Sequence, residues 1–392
     1  MDVVLRMNRF CKFAMSLACL LVLAMSAGCG NPMEKQEIAI GTNLELSGAG
    51  QSYSEPTQRG VELAIDEINE NGGLLGKKVT LISLDNHSDG SDSLRNMKML
   101  ASQKVRVIIG PNLSPDALAV TNFAEEVKIP VISPAGSYPG VTTNMKNHEA
   151  YSYMFRATFI DPVQGRAMAR FANRTLKART AAVVYDPSSV YSSGLATFFR
   201  EAFGTENGNV TAYIAYNSSL DLETVLQTLQ KSQADVIYLP MYHWQALPLV
   251  RQMRAETIAV PILGCDGWDN GQFAQLAEAE KLMPLYFTNH YSMDPKEAED
   301  QAFIEAYTKK FGVAPDIYAA LGYDAAMMAA EAIKRAGSTD GTRIAQELER
   351  TMKFAGITGE ISLDANHDAV KDVYILSFQD GGSQFVAKLP GM

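Results

Sequence analysis

The chain has 392 residues, enough for two or three domains at the usual size of about 150 each. Its 47% apolar content excludes a disordered polymer. A net charge of −10 with no basic tract argues against nucleic acid or an anionic lipid surface as partner.

Met1–Gly28 reads as a targeting signal. Arg6, Arg9 and Lys12 form its positive start, and Phe13–Ala27 is an apolar run too short for an ordinary transmembrane helix. The end, Ser26-Ala27-Gly28-Cys29, resembles a bacterial lipoprotein box, with Ser26 in place of the usual larger aliphatic residue. The box implies cleavage before Cys29, lipidation of its thiol, and a short polar tether over 29–36. Removing Met1–Gly28 takes away three bases and one acid, so the charge moves from −10 to −12. Cys11 and Cys19 leave with the signal and Cys29 becomes the anchor. Cys265 is then single, which excludes an intramolecular disulfide. No later apolar run is long enough to cross a membrane, so membrane contact is expected only through the lipid.

Ile38–Leu44 is the first strand, followed by the small-residue loop Leu46-Ser47-Gly48-Ala49-Gly50. A helix is expected from Pro56 to Asn69, with Val61, Ala64, Ile65 and Ile68 on one face and Asn71-Gly72-Gly73 as its stop. Val79–Leu84 is a strand and Asp92–Gln103 a helix. Val107–Ile109 is a short buried strand closed by Gly110-Pro111. Ser114 stands at the N-cap position of the next helix, with Pro115 first inside it and Glu126 near its end. Val131-Ile132 begins a strand that runs into Ala135-Gly136-Ser137-Tyr138. Tyr153–Arg156 is extended and Asp161–Arg174 helical.

The strand–helix rhythm then restarts. Strands at Ala181–Tyr185, Val210–Tyr216, Val236–Leu239 and Pro261–Leu263 alternate with helices at Ser189–Phe203, Leu222–Ser232 and Trp244–Met253. Leu285–Thr288 is extended. Helices follow at Pro295–Phe311, Tyr318–Ala336 and Asp340–Met352, and late strands at Ile357–Leu363 and Val373–Phe378. Two successive runs predict an α/β protein of two doubly wound, Rossmann-like lobes with parallel sheets.

In such sheets ligands bind outside the carboxyl ends of the strands. The loops there carry small polar and aromatic residues. Ser114, at a helix N-terminus, and Ser137, on the neighbouring strand end, suit an anion such as a carboxylate, although Asp116 in the first turn competes for the same positive end. Asp266 follows Pro261–Leu263 among glycines, where a carboxylate can pair with an ammonium. Tyr53, Tyr138, Tyr191, Tyr242, Trp268 and Tyr318 lie on the same predicted loops and can wall a pocket.

Enzyme signals are weak. Gly73–Lys78 lacks the spacing of a phosphate loop, Asp85–Gly90 has His87 at the third position of a calcium loop and Asn96 where its distal Glu is required, and Asp364–Asp368 lacks both the Gly and the distal Glu. The five histidines have no metal-ligand spacing. Ser137 is one place early for a nucleophile elbow. No cofactor, metal or catalytic residue is expected. Asp364–Asp368 reads as a hairpin turn.

Leu46-Ser47-Gly48, Asn71-Gly72-Gly73-Leu74-Leu75-Gly76-Lys77, Ile109-Gly110-Pro111 with Ser114, Pro130–Pro134 with Ala135-Gly136-Ser137, and Phe155-Arg156 with Asp161 together resemble the branched-chain-amino-acid type of periplasmic binding protein, the type I solute receptors of ABC importers. The resemblance runs from about Glu37 to the C-terminus. It implies two lobes closing on a ligand around a three-strand hinge, one of 37–156 plus 290–356 and one of 157–289 plus 357–392. It implies that Ser114 and Ser137 hold a carboxylate, that Ala135 and Ser137 lie near an amine, and that Asp266 pairs with it. Tyr53, Gly136, Tyr191, Tyr242, Trp268 and Tyr318 fall at or beside pocket positions, with His243 the alternative to Tyr242. Gly136-Ser137 replaces a usual Ala-Thr and keeps the hydroxyl. The expected function is capture of a small amino acid, branched-chain or otherwise apolar or aromatic, for the permease of an ABC importer. A sensor for a chemoreceptor or kinase, a receptor for aromatic carboxylates lacking an amine, and a hydrolase remain alternatives.

Overall fold

The computed structural model describes residues 37–216, 222–292 and 301–391. The signal, Cys29, its tether and the start of the helix expected at Pro295 lie outside the described residues. Among the described residues no helix is long and apolar enough to cross a membrane.

Two sheets dominate. The first comprises β1 (Ile38–Leu44), β2 (Val79–Asp85), β3 (Ile108–Ile109), β4 (Val131–Ser133) and β5 (Met154–Arg156), all parallel, in the order β2-β1-β3-β4-β5. The second repeats that winding with β6 (Thr180–Tyr185), β7 (Asn209–Ala215), β8 (Val236–Tyr238), β9 (Ile262–Gly264) and β10 (Leu285–Asn289), in the order β7-β6-β8-β9-β10. β14 (Val373–Gln379) and β15 (Gly382–Leu389) extend it antiparallel beyond β10. A crevice opens where strand order reverses, between β1 and β3 in one sheet and between β6 and β8 in the other.

The intervening helices are α1 (Gln51–Glu70), α2 (Gly90–Ser102), α3 (Ser114–Val127), α4 (Asp161–Arg170), α5 (Val190–Thr205), α6 (Leu222–Ser232), α7 (His243–Ala255) and α8 (Gly271–Ala279). α9 (Gln301–Phe311), α10 (Ile317–Ala336) and α11 (Gly341–Glu349) come late in the chain yet cover the first sheet. α1 and α10 approach closely because both are glycine at the crossing. A Cβ on Gly60 would lie 2.0 Å from the Ala319 carbonyl oxygen, and one on Gly322 2.3 Å from that of Thr57. This approach sets the Tyr53 and Tyr318 rings 4.7 Å apart.

Several boundaries differ from expectation. α1 starts at Gln51, ahead of Pro56, because the Tyr53 and Ser54 amides bond the Gly50 carbonyl. Ser114 is the first residue of α3, and Leu113 takes the cap position. The buried Glu45 carboxylate accepts the Asn112 and Leu113 amides, both at 3.1 Å, and so holds the loop that leads into α3, whose first turn has no side-chain cap. β11 (Phe354–Gly356), β12 (Gly359–Leu363) and β13 (Ala369–Val370) form a small antiparallel sheet, with Asp364–Asp368 as the expected hairpin turn.

The lobe boundary at 357 needs correction. Ile361, Leu363 and Ala369 pack into the core of the first sheet, whereas Ile375, Leu376 and Phe378 pack into the second. The last crossing between the halves therefore lies at Val370–Val373. Asp324 of α10 anchors the approach to it, accepting the Ile357 and Thr358 amides at 2.7 and 2.9 Å.

Candidate functional site

The strand ends of both sheets meet around a narrow cavity with about 290 Å³ of space not filled by atoms. Tyr53, Asn112, Leu113, Ser114, Ala135 and Tyr318 line it from the first half, and Tyr191, Tyr242, Asp266 and Gly267 from the second. Each comes from a segment at a strand's carboxyl end or from the helices crossing there. Sequence reasoning named seven of these ten positions.

Three expected residues stand elsewhere. Trp268 is fully buried in the second core, packed over Gly264 and 5.2 Å from the Phe273 ring, so its bulk fills the fold and not the cavity. Gly136 serves through its backbone, its amide on Ser133 Oγ and its carbonyl on the Arg156 guanidinium at 2.7 Å. Ser137 is buried behind the cavity wall, facing Asp161. Tyr138 is also absent from the lining and contributes its amide, which donates to Ser114 Oγ at 3.2 Å.

The loop Asp266–Gly267 is held from both halves. The Tyr53 hydroxyl donates to the Gly267 carbonyl at 2.6 Å, and Tyr318 donates to the Asp266 carbonyl at 2.9 Å. Tyr53 Oη also lies 2.8 Å from His243 Nδ1. The single hydroxyl proton goes to the carbonyl, which can only accept, so His243 Nδ1 carries the proton of that contact. Burial lowers the His243 pKa to about 4, which keeps the ring neutral. Of the two neighbours, Tyr242 lines the cavity and His243 braces Tyr53.

The Asp266 carboxylate accepts from the Tyr191 hydroxyl and the Gly267 amide on Oδ1, and from His290 Nε2 at 3.0 Å on Oδ2. Donation from Nε2 leaves His290 Nδ1 as an acceptor, 3.2 Å from Thr158 Oγ1 in the first crossing between the halves. Burial holds His290 below its usual value against the pull of Asp266. Neither His290 nor its task was legible beforehand, since no spacing marks it.

Aromatic rings complete the walls. Tyr191 stacks on Tyr242 at 4.8 Å, and Tyr242 on Trp244 at 4.6 Å. Burial pushes the phenols of Tyr53, Tyr191, Tyr242 and Tyr318 well above their ordinary range, so all four remain protonated donors. The cavity thus has an apolar aromatic middle, a hydroxyl at a helix N-terminus on one side and a carboxylate on the other. That arrangement matches a zwitterion with an apolar side chain. Among the described residues no cluster of His, Cys, Asp and Glu could hold a metal ion.

Residues 37–383 match the family model described as periplasmic binding protein. The Leu/Ile/Val-binding protein homolog 1 of Brucella melitensis is 25% identical over 341 residues, spanning 87% of this chain and 90% of its own length. The solved leucine-binding protein LivK of Thermotoga maritima is 32% identical with a TM-score of 0.82, covering 90% of this chain and 99% of that one. The branched-chain amino acid substrate-binding protein LivJ of Streptococcus pneumoniae, solved with isoleucine, is also 32% identical, with a TM-score of 0.81 over 91% of this chain and 99% of its own.

Proposed function

The chain belongs to the periplasmic binding protein family, and from that premise we propose that it captures a small apolar or aromatic amino acid outside the cytoplasm and delivers it to an ABC importer. One observation carries the reading: a single cavity between the two halves joins Ser114 at a helix N-terminus to Asp266 through walls of tyrosine. The ligand carboxylate would sit at Ser114 and Ala135, its ammonium at Asp266, and its side chain against Tyr53, Tyr191, Tyr242 and Tyr318.

The two halves act as lobes. Tyr53 and Tyr318 reach the Asp266–Gly267 loop only when the lobes are together, so a ligand bound between them favours closure by its differential affinity for that state. The permease reads the closed form. The protein releases its ligand unchanged, without chemical turnover. Cys29 carries the lipid that tethers it to the cell envelope.

The test is a thermal-shift and calorimetry screen of the common amino acids against the wild type, Ser114→Ala and Asp266→Ala. Binding by the wild type and a loss of about tenfold or more in each variant are expected. Unchanged affinity in both variants would remove the site.

A further inference from the structure

One imidazole joins the acid of the cavity to the crossings between the halves. The backbone of Asp266 is fixed, its amide donating to Gln164 Oε1 at 2.8 Å and its carbonyl accepting the Tyr318 hydroxyl at 2.9 Å. Only the turn of its carboxylate is left to set. Oδ1 accepts the Tyr191 hydroxyl and the Gly267 amide, and Oδ2 accepts His290 Nε2 at 3.0 Å. A carboxylate oxygen accepts about two hydrogen bonds, so the open place is on Oδ2, beside the imidazole. His290 is fully buried and follows β10, where the second crossing begins. Its ring centre lies 3.8 Å from that of Phe159, and its Nδ1 3.2 Å from Thr158 Oγ1, both residues of the first crossing.

The third crossing supplies a charge. Lys371, between β13 and β14, is buried. Its Nζ donates to Thr358 Oγ1, which donates in turn to Asp324 Oδ2 at 2.6 Å. Burial lowers this ammonium to about 8, so it is a cation at pH 7 and below. Burial and the Lys371 charge oppose a second proton on His290, while Asp266 favours one. The first crossing presents no charge to the ring, only Thr158 and Phe159. These serve either state of the ring. The Thr158 hydroxyl donates to a bare Nδ1. When Nδ1 is protonated, Thr158 Oγ1 accepts from it and turns its own proton to the Phe159 carbonyl, 3.2 Å away.

We propose that His290 is a positioning residue for Asp266 and a proton switch for ligand release: the neutral ring aims Oδ2 at the ligand ammonium, and a second proton on the ring gives Asp266 an internal cation that competes with it. The proposal rests on the amino-acid reading of the cavity and adds a control to it. Affinity for an amino acid falls as pH drops through the titration of His290, and a carboxylate lacking the amine escapes that competition. Without the Lys371 charge the ring takes its second proton more readily, so the fall begins at higher pH.

Calorimetry from pH 7 downward tests this. The probe is whichever of L-leucine, L-isoleucine, L-valine and L-phenylalanine binds the wild type most tightly, paired with the same molecule lacking its amine. His290→Leu is expected to weaken the amino acid by about tenfold at pH 7 and to leave the amine-less acid unchanged. His290→Gln, whose amide can replace the Nε2 donor, should restore most of that loss and hold its affinity to lower pH than the wild type. Equal losses of both ligands in His290→Leu, or no rescue by His290→Gln, would reduce the ring to packing and overturn the proposal. Lys371→Met keeps the ring and decides the matter should His290→Leu not fold. Its acid limb should move to higher pH, in step with the ring-nitrogen NMR titration of His290, and an unmoved limb would overturn the proposal. Asp266→Asn separates the two readings. Amine preference lost there but kept in His290→Leu overturns the proposal alone, whereas preference kept in Asp266→Asn, or a wild type that binds none of the four, overturns both.

Discussion

Tyr53 and Gly267 are joined across the cleft, the hydroxyl of one donating to the carbonyl of the other at 2.6 Å. Tyr53 stands in the first turn of α1, and Gly267 in the loop after β9 of the other sheet. The bond ties the second half to the aromatic floor of the first at the place where Asp266 meets the cavity. On the proposed function, closure and ligand contact are one event at this loop.

Replacing Tyr53 by Phe keeps the ring and deletes this bond together with the contact to His243. The Gly267 carbonyl is left buried without its donor. A cost of about 1–2 kcal/mol in binding, roughly five- to thirtyfold in dissociation constant, is expected. Stopped-flow measurement should find it mostly in faster release. An unaltered release rate would separate the bond from closure.

The glycine crossing of α1 and α10 gives a second prediction. A methyl on Gly322 would meet the backbone of Thr57 at 2.3 Å, and no side-chain rotation relieves a clash with main chain. Gly322→Ala should cost about 1–3 kcal/mol or more of stability in urea titration and weaken ligand binding as Tyr53 and Tyr318 part. Wild-type behaviour would mean that the helices separate freely.

Arg156 and Asp368 form a buried ion pair, Nε to Oδ1 at 2.7 Å, which ties the end of β5 to the hairpin before the last crossing. The guanidinium also donates to the Gly136 and Tyr138 carbonyls and to Thr142 Oγ1. Asp368→Ala strands a buried cation and should destabilise the protein by about 3–5 kcal/mol in chemical denaturation. A loss of under about 1 kcal/mol, typical of an exposed pair, would contradict the burial.

Asp116 carries a pH prediction. Burial, with the charge of Glu45 beside it, pushes its carboxyl up to about 8 from 3.8. Between these values the folded state holds a proton that the unfolded state has lost, so this group's contribution to stability declines as pH rises from about 4 to about 8. Asp116→Asn removes the titration. Its melting temperature should exceed that of the wild type near pH 8, with the difference fading toward pH 4. A pH-independent difference would place the effect in packing alone.

Much of this was legible from local pattern. The two doubly wound runs appear in the strand–helix rhythm, and Ser114, Ala135, Tyr191, Tyr242 and Asp266 stand where strands end. What was not legible depends on contacts distant in sequence. Glu45 reaches the α3 terminus 67 residues on, and His290 finds Asp266 through the fold alone. Trp268 misled for the opposite reason: a large aromatic on a loop reads the same whether it faces a ligand or, as here, packs over a glycine in the core. The boundary at 357 failed because β12 and β13 are short and lean on a sheet built from the other end of the chain.

The most direct measurement is a crystal structure of the protein purified with its native ligand retained. The account requires an amino acid in the cavity between Tyr53 and Tyr191, its carboxylate on the Ser114 side and its ammonium on the Asp266 side. A ligand bound elsewhere, or one in this cavity with no amine directed at Asp266, would contradict it.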